Sequence, residues 1–140
     1  TMSTYRGLDP IKDKKYVNPS KDWQKIKNRL ENVYGKKLLE EFDDCIQESL
    51  CQTNIQIITK ICKMLNIETP LKRDVLTKTT STTRLVEICS FYNADVYLSG
   101  ISGKKYLDKT LFHKKNINLA FQNEEEMIKK PILDILIEKY

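Results

Sequence analysis

The stretch Ala94-Asp95-Val96-Tyr97-Leu98-Ser99-Gly100-Ile101-Ser102-Gly103 constrains the fold of this chain more than any other. Val96-Tyr97-Leu98 favours a strand, Ser99-Gly100 a turn, and Gly103 stands where a new helix would open. Two of the chain's four glycines fall in these ten residues, so the backbone can turn here more tightly than elsewhere. A strand that runs straight into a helix belongs to α/β architecture, where the carboxyl end of a strand delivers backbone to a ligand.

What precedes this stretch is helical. Thr1 to Pro19 has no sustained period and reads as an extended lead-in, with Tyr5 and Tyr16 as anchors. From Ser20, a plausible N-cap, Trp23, Ile26, Leu30, Val33 and Tyr34 recur at helical spacing, and Gly35 suits the residue that closes such a helix. Leu38, Leu39, Phe42, Cys45, Ile46 and Leu50 give a second amphipathic stripe, which predicts one helix over Lys36–Leu50. Thr53 is placed to cap a third, with Ile55, Ile58, Ile61, Cys62 and Leu65 on its apolar face. Short joints between these helices imply an antiparallel arrangement. Pro70 ends the run, because it has no N–H to donate and pushes Thr69 toward an extended backbone.

After Pro70 the rhythm changes. Asp74-Val75-Leu76-Thr77 reads as a short strand, and the hydroxyl run Thr79 to Thr83 opens a helix through Leu85, Val86, Ile88, Cys89 and Tyr92. Asn93 suits the left-handed turn that closes it. A strand at Val96–Leu98, a short helix around Lys104 to Phe112 and a strand at Ile117–Phe121 complete a βαβαβ order, which predicts a small parallel sheet. Glu124 to Glu126 sit in what would be a first helical turn. Pro131 forces a kink or a new start, after which Ile132, Leu133, Ile135 and Leu136 are expected to pack back on the sheet. The expected organisation is a lead-in over 1–19 and one α/β domain over 20–140. Its helical hairpin layer (20–69) covers the βαβαβ part (70–140).

Composition narrows the functional classes. A length of 140 residues with 40% hydrophobic content supports a real core without disulfide or metal support. The net charge of +5 comes from 24 basic and 19 acidic residues, a mixed balance with no arginine cluster or reader motif, which disfavours nucleic acid as a partner. No apolar run is long enough to span a bilayer, and no signal peptide is visible. Cys45, Cys51, Cys62 and Cys89 form no CxxC pair and are too scattered for a zinc site. They read as reduced thiols of a cytoplasmic protein, and no metal or cofactor is expected.

The candidate ligand residues lie in two loops. Ser99, Gly100 and Gly103 would expose backbone N–H groups to an anion such as phosphate or carboxylate, although a tight strand-to-helix turn accounts for the same glycines. Thr82, Thr83 and Arg84, in the hydroxyl run, would grip a polar or phosphorylated ligand, although N-capping uses the same hydroxyls. In a parallel sheet both loops fall on one edge, which favours a shared site. Tyr106 flanks the glycines and would orient a ring or sugar. Asp108 and Glu87 are the acid or base candidates, neither with a partner visible in sequence. His113, the single histidine, has no visible nucleophile or acid beside it and reads as a surface residue near a helix end.

The segments Thr83-Arg84-Leu85-Val86-Glu87-Ile88-Cys89, Ala94 through Gly100, and Gly103-Lys104-Lys105-Tyr106-Leu107-Asp108 resemble the WbqC-like proteins. So do Asn116 to Phe121, the entry Asp22-Trp23-Gln24-Lys25 and the closing Pro131-Ile132-Leu133-Asp134-Ile135-Leu136. The resemblance implies a role in bacterial surface polysaccharide biosynthesis, since such proteins are typically encoded among O-antigen or capsule genes. It implies a transferase, or the ligand-binding part of one, acting on an amino-sugar or sugar nucleotide. The family's opening β-rich segment, with its Gln-Pro-Asn-Tyr-like motif, has no counterpart here, and 124–130 fits the family pattern poorly. The chain is therefore expected to be a fragment or to lack that front segment, and to bind ligand without turning it over if catalytic groups lie there. The other class considered is a non-catalytic module that assembles partner enzymes through its helices.

Overall fold

A computed structural model describes residues 11–139 except 76, 124, 126 and 127. The chain is mixed α/β, with six α-helices and one two-stranded parallel sheet among the described residues. It divides into two compact units, Thr1–Leu71 with Lys130–Tyr140, and Lys72–Lys129.

The first unit holds α1 (Pro19–Tyr34), α2 (Lys36–Glu40), α3 (Leu50–Met64) and α6 (Ile132–Ile137). Pro19 occupies the first turn of α1, where its missing N–H costs nothing, so Asn18 rather than Ser20 takes the cap position. Gly35 closes α1 with φ +74° and donates its N–H to the Glu31 carbonyl at 2.9 Å. The lead-in is pinned at Lys15 and Tyr16: Lys15 bridges antiparallel to Ser49, and the Tyr16 N–H donates to the Glu48 carbonyl at 2.8 Å.

The helix expected over Lys36–Leu50 ends at Glu40. A 3-10 turn at Asp43–Cys45 follows, and Ser49 opens α3, its hydroxyl accepting the Gln52 N–H at 3.4 Å. At the break, Lys60 replaces a helical donor. Its ammonium takes the Glu41 carbonyl, which a continuous helix would give to the Cys45 N–H, and Cys45 instead donates to Phe42 at 3.0 Å. Thr53 is not a cap. It is buried, and its hydroxyl accepts the Gln47 N–H at 2.9 Å and donates to the Gln47 carbonyl at 3.2 Å. The core of this unit is Leu38, Phe42, Cys45 and Leu136, packed by Trp23, Tyr34, Ile57, Ile61 and Leu133. Leu133 and Leu136 thus bury themselves against the helices and not on the sheet as expected. Their apolar stripe is satisfied by α2 and the turn after it.

The second unit holds α4 (Ser81–Phe91), β1 (Val96–Ser99), α5 (Lys109–His113) and β2 (Asn118–Phe121). Asn93 adopts the left-handed conformation at φ +52° as α4 gives way to β1. The strands pair in parallel with Val96 opposite Asn118 and Ser99 opposite Phe121. The strand expected at 74–77 includes Leu76, which lies outside the described residues; Asp74, Val75 and Thr77 have no regular structure. The short helix expected over Lys104–Phe112 is split into a 3-10 turn at Ile101–Lys105 and α5, because Asp108 caps a fresh start. Val86, Cys89, Phe112 and Ile117 form the core, and the Tyr97 ring stacks on Phe112 at 5.2 Å. The opposite face of β1 is bare, with Val96 49% and Leu98 59% exposed.

Candidate functional site

Because β1 and β2 are parallel, their carboxyl ends, Ser99 and Phe121, lie at one end of the sheet. The Gln122 N–H continues the ladder by donating to the Ser99 carbonyl at 2.9 Å. The shared sheet edge expected for the two loops rested on a strand before α4, and Asp74, Val75 and Thr77 form none; the bond seen from the hydroxyl run goes instead to the start of α5, where the Asp108 N–H donates to the Thr82 hydroxyl oxygen at 3.1 Å. That bond ties the first turn of α4 to the start of α5.

Several of the sequence candidates turn inward. Thr82 is buried and engaged with Asp108. Ser99 is buried, with its hydroxyl donating to the Gly100 carbonyl at 3.0 Å. Gly103 is packed beneath it: a Cβ at that position would run into the Ser99 hydroxyl and stand 3.0 Å from a Leu107 methyl. The glycine at 103 is thus required by packing. Arg84 is ion-paired to Asp74. Glu87 accepts the Thr79 hydroxyl at 2.6 Å. Asp108 caps α5, accepting the Thr110 N–H at 2.8 Å and its hydroxyl at 2.6 Å, and these bonds hold its carboxyl below the usual range. A carboxylate so held is a poor proton carrier near neutral pH.

Asp108 is itself exposed, and three further candidates face solvent. Thr83 and Tyr106 are exposed, and so is Gly100. At Gly100 φ is −62°, and an added Cβ would meet only the Gln122 side-chain oxygen at 3.7 Å, an ordinary contact. The free fold does not need glycine there. Sequence reasoning did not single out Lys104, Lys109, Phe121 and Gln122. Lys104 and Lys109 hold their ammonium groups 5.5 and 5.8 Å from the centre of the Phe121 ring, at the end of β2. The signal available was Phe121 as the last apolar residue of its strand, opposite Ser99.

A separate open cleft of about 450 Å³ runs along α5 and the start of β2, lined by Lys109, His113, Asn116, Ile117, Asn118 and Leu119. It shares only Lys109 with the strand ends, and the strand ends are the better candidate because polar backbone and uncommitted charge converge there. Among the described residues no three His, Cys, Asp or Glu side chains gather to hold a metal, and no helix is long and apolar enough to cross a membrane.

Taken together, the second unit is a small α/β module whose parallel strands open their carboxyl ends at one edge. The WbqC-like protein family matches residues 4–130, and the chain belongs to that family. No curated protein and no solved structure matches it.

Proposed function

We propose that this chain binds a sugar nucleotide or activated amino-sugar at the carboxyl ends of β1 and β2, as a cytoplasmic transferase of bacterial surface polysaccharide biosynthesis or the ligand-binding part of one. Gly100 carries the reading. It is exposed, its backbone conformation suits any residue, and a side chain would fit, so glycine at this strand end serves close approach from outside rather than the fold. Thr83 and Tyr106 are the exposed candidates that would contact the ligand, with Ser99 and Gly103 shaping the strand end from beneath, Thr82 holding the start of α5, and Arg84 contributing only if the ligand draws it from Asp74. Asp108 and Glu87 are committed to Thr110 and Thr79, so their part is to position.

A thermal-shift screen with nucleotide sugars tests this. A ligand at a hundred times its dissociation constant stabilises by roughly 2.7 kcal/mol, a readily measured rise in melting temperature. The rise should disappear in Gly100→Val while the unliganded melting temperature stays put. An equal rise in both proteins would remove Gly100 from the site.

A second reading has its own observation. On α1, Ile26 and Val33 are 45% and 64% exposed and seven residues apart, hence on one face. That face suits a module that assembles partner enzymes. It predicts no nucleotide-sugar shift at all, and loss of partner capture in Ile26→Glu/Val33→Glu.

A further inference from the structure

The geometry points to a phosphate-binding pair at the end of β2, in which the ammonium groups of Lys104 and Lys109 hold the diphosphate of a sugar nucleotide over the edge left open by Gly100. This rests on the reading above and adds to it the group of the ligand that is gripped and the residues that grip it.

Two cations share one ring. Lys104 and Lys109 both lie within cation–π distance of Phe121, at 5.5 and 5.8 Å from its centroid. Among the described residues neither has an ion-pair partner. The nearest carboxylate in sequence, Asp108, is turned to Thr110. Both ammonium groups are therefore available to an anion that approaches the end of β2.

The strand ends supply the rest. Phe121 is paired with Ser99 across the sheet, and the Gln122 N–H donates to the Ser99 carbonyl, so the ring the two lysines share belongs to the strand end opposite the residue before Gly100. The Gln122 side chain reaches the space over Gly100 and offers an amide to the same ligand. Lysine ammonium groups on flexible stems act as point charges toward phosphate, and two of them suit an anion whose charge is spread over separated oxygens. A diphosphate has that form and a single carboxylate does not.

The test is calorimetric titration of the whole chain with pyrophosphate, alongside Lys104→Gln, Lys109→Gln and the double variant. Each lysine should account for roughly tenfold in affinity, and wild-type affinity should fall as salt rises. Both side chains are exposed, so the variants should keep the circular dichroism spectrum and the melting temperature of the parent. Equal affinity in parent and double variant, or no binding of pyrophosphate by the parent, overturns the pair. The nucleotide-sugar screen separates this from the broader reading. A shift retained in the double variant sinks the lysine pair and leaves the sugar-nucleotide reading standing. Pyrophosphate binding that needs both lysines, without any nucleotide-sugar shift in the parent, supports the pair and sinks the other.

Discussion

The Tyr34 hydroxyl donates to the Asp134 carboxylate at 2.8 Å, joining the last residue of α1 to a helix one hundred residues further along the chain. The carboxylate stabilises the protonated phenol and raises its pKa. Beside this bond Leu136 is 1% exposed in the core of the first unit. Leu136→Ala should therefore cost about 2–5 kcal/mol. Trp23, the single tryptophan, packs against the same core, so its fluorescence in a urea titration reports the change. A midpoint equal to the parent's would show that α6 is dispensable.

The two glycines of the opening stretch should behave oppositely. Gly103→Ala forces a methyl into the Ser99 hydroxyl and should destabilise the second unit by about 1–3 kcal/mol. Gly100→Ala meets only ordinary contact and should stay within about 0.5 kcal/mol of the parent. Hydrogen exchange across residues 96–121 reads both, and equal protection in the two variants would contradict the packing described.

Thr82→Val removes the acceptor of the Asp108 N–H and should cost about 1–3 kcal/mol, whereas Thr82→Ser should retain most of the stability. The contrast between these variants in thermal melting isolates the hydroxyl from the burial of the side chain.

Acid should loosen the first unit through a pair of aspartates. The Lys27 ammonium, then the Trp23 indole N–H at 2.6 Å, hold the Asp43 carboxyl below its usual value, and Lys60 does the same for Asp44. Both folded values lie below the unfolded one of about 3.9. Their stabilisation is present above that pH and is lost as pH falls through the folded values. Lys60 is raised by Asp44, so its contribution holds below its unfolded pKa and fades only as strong alkali passes the folded one. Asp43→Asn/Asp44→Asn should lower the urea midpoint at pH 7, and the gap to the parent should narrow as pH falls below about 3.9. A difference of the same size at pH 7 and in acid would rule the aspartates out.

Thiol labelling should divide the cysteines. Burial pushes the Cys45 and Cys89 thiols up and shields them from reagent. Cys51 and Cys62, partly exposed on α3, should react first, and the other two only with unfolding. Four equal rates in mass spectrometry would be incompatible with these cores.

Much of the local structure was legible because single residues dictate it. Gly35, Asn93 and Pro131 each mark a boundary that the backbone obeys, and the parallel pairing of Val96–Ser99 with Asn118–Phe121 followed from alternating strand and helix signals. The interruption after Glu40 was not legible. Leu38, Phe42 and Cys45 satisfy a helical stripe equally well with a 3-10 turn in the middle, and the lysine that takes the Glu41 carbonyl lies nineteen residues away. The destination of Leu133 and Leu136 was hidden for a similar reason, since an apolar stripe shows that it will be buried but not by what. At the site, the hydroxyl run and the glycines were visible, but their nonlocal partners were not. Thr82 meets Asp108 and Gly103 meets Ser99 only once the chain has folded, and Lys104 and Lys109 acquire a shared neighbour only through β2.

The interrupted course of the first unit bears on the order of events during synthesis. Residues 72–129 leave the ribosome before the segment that carries Leu136, so the second unit has all of its own sequence while the first still waits for its final helix. A nascent chain halted before Pro131 would expose Leu38, Phe42 and Cys45 without their last partner. Of the two units, the one whose synthesis starts earlier is thus the later to become complete, and holdase chaperones would meet it in that interval.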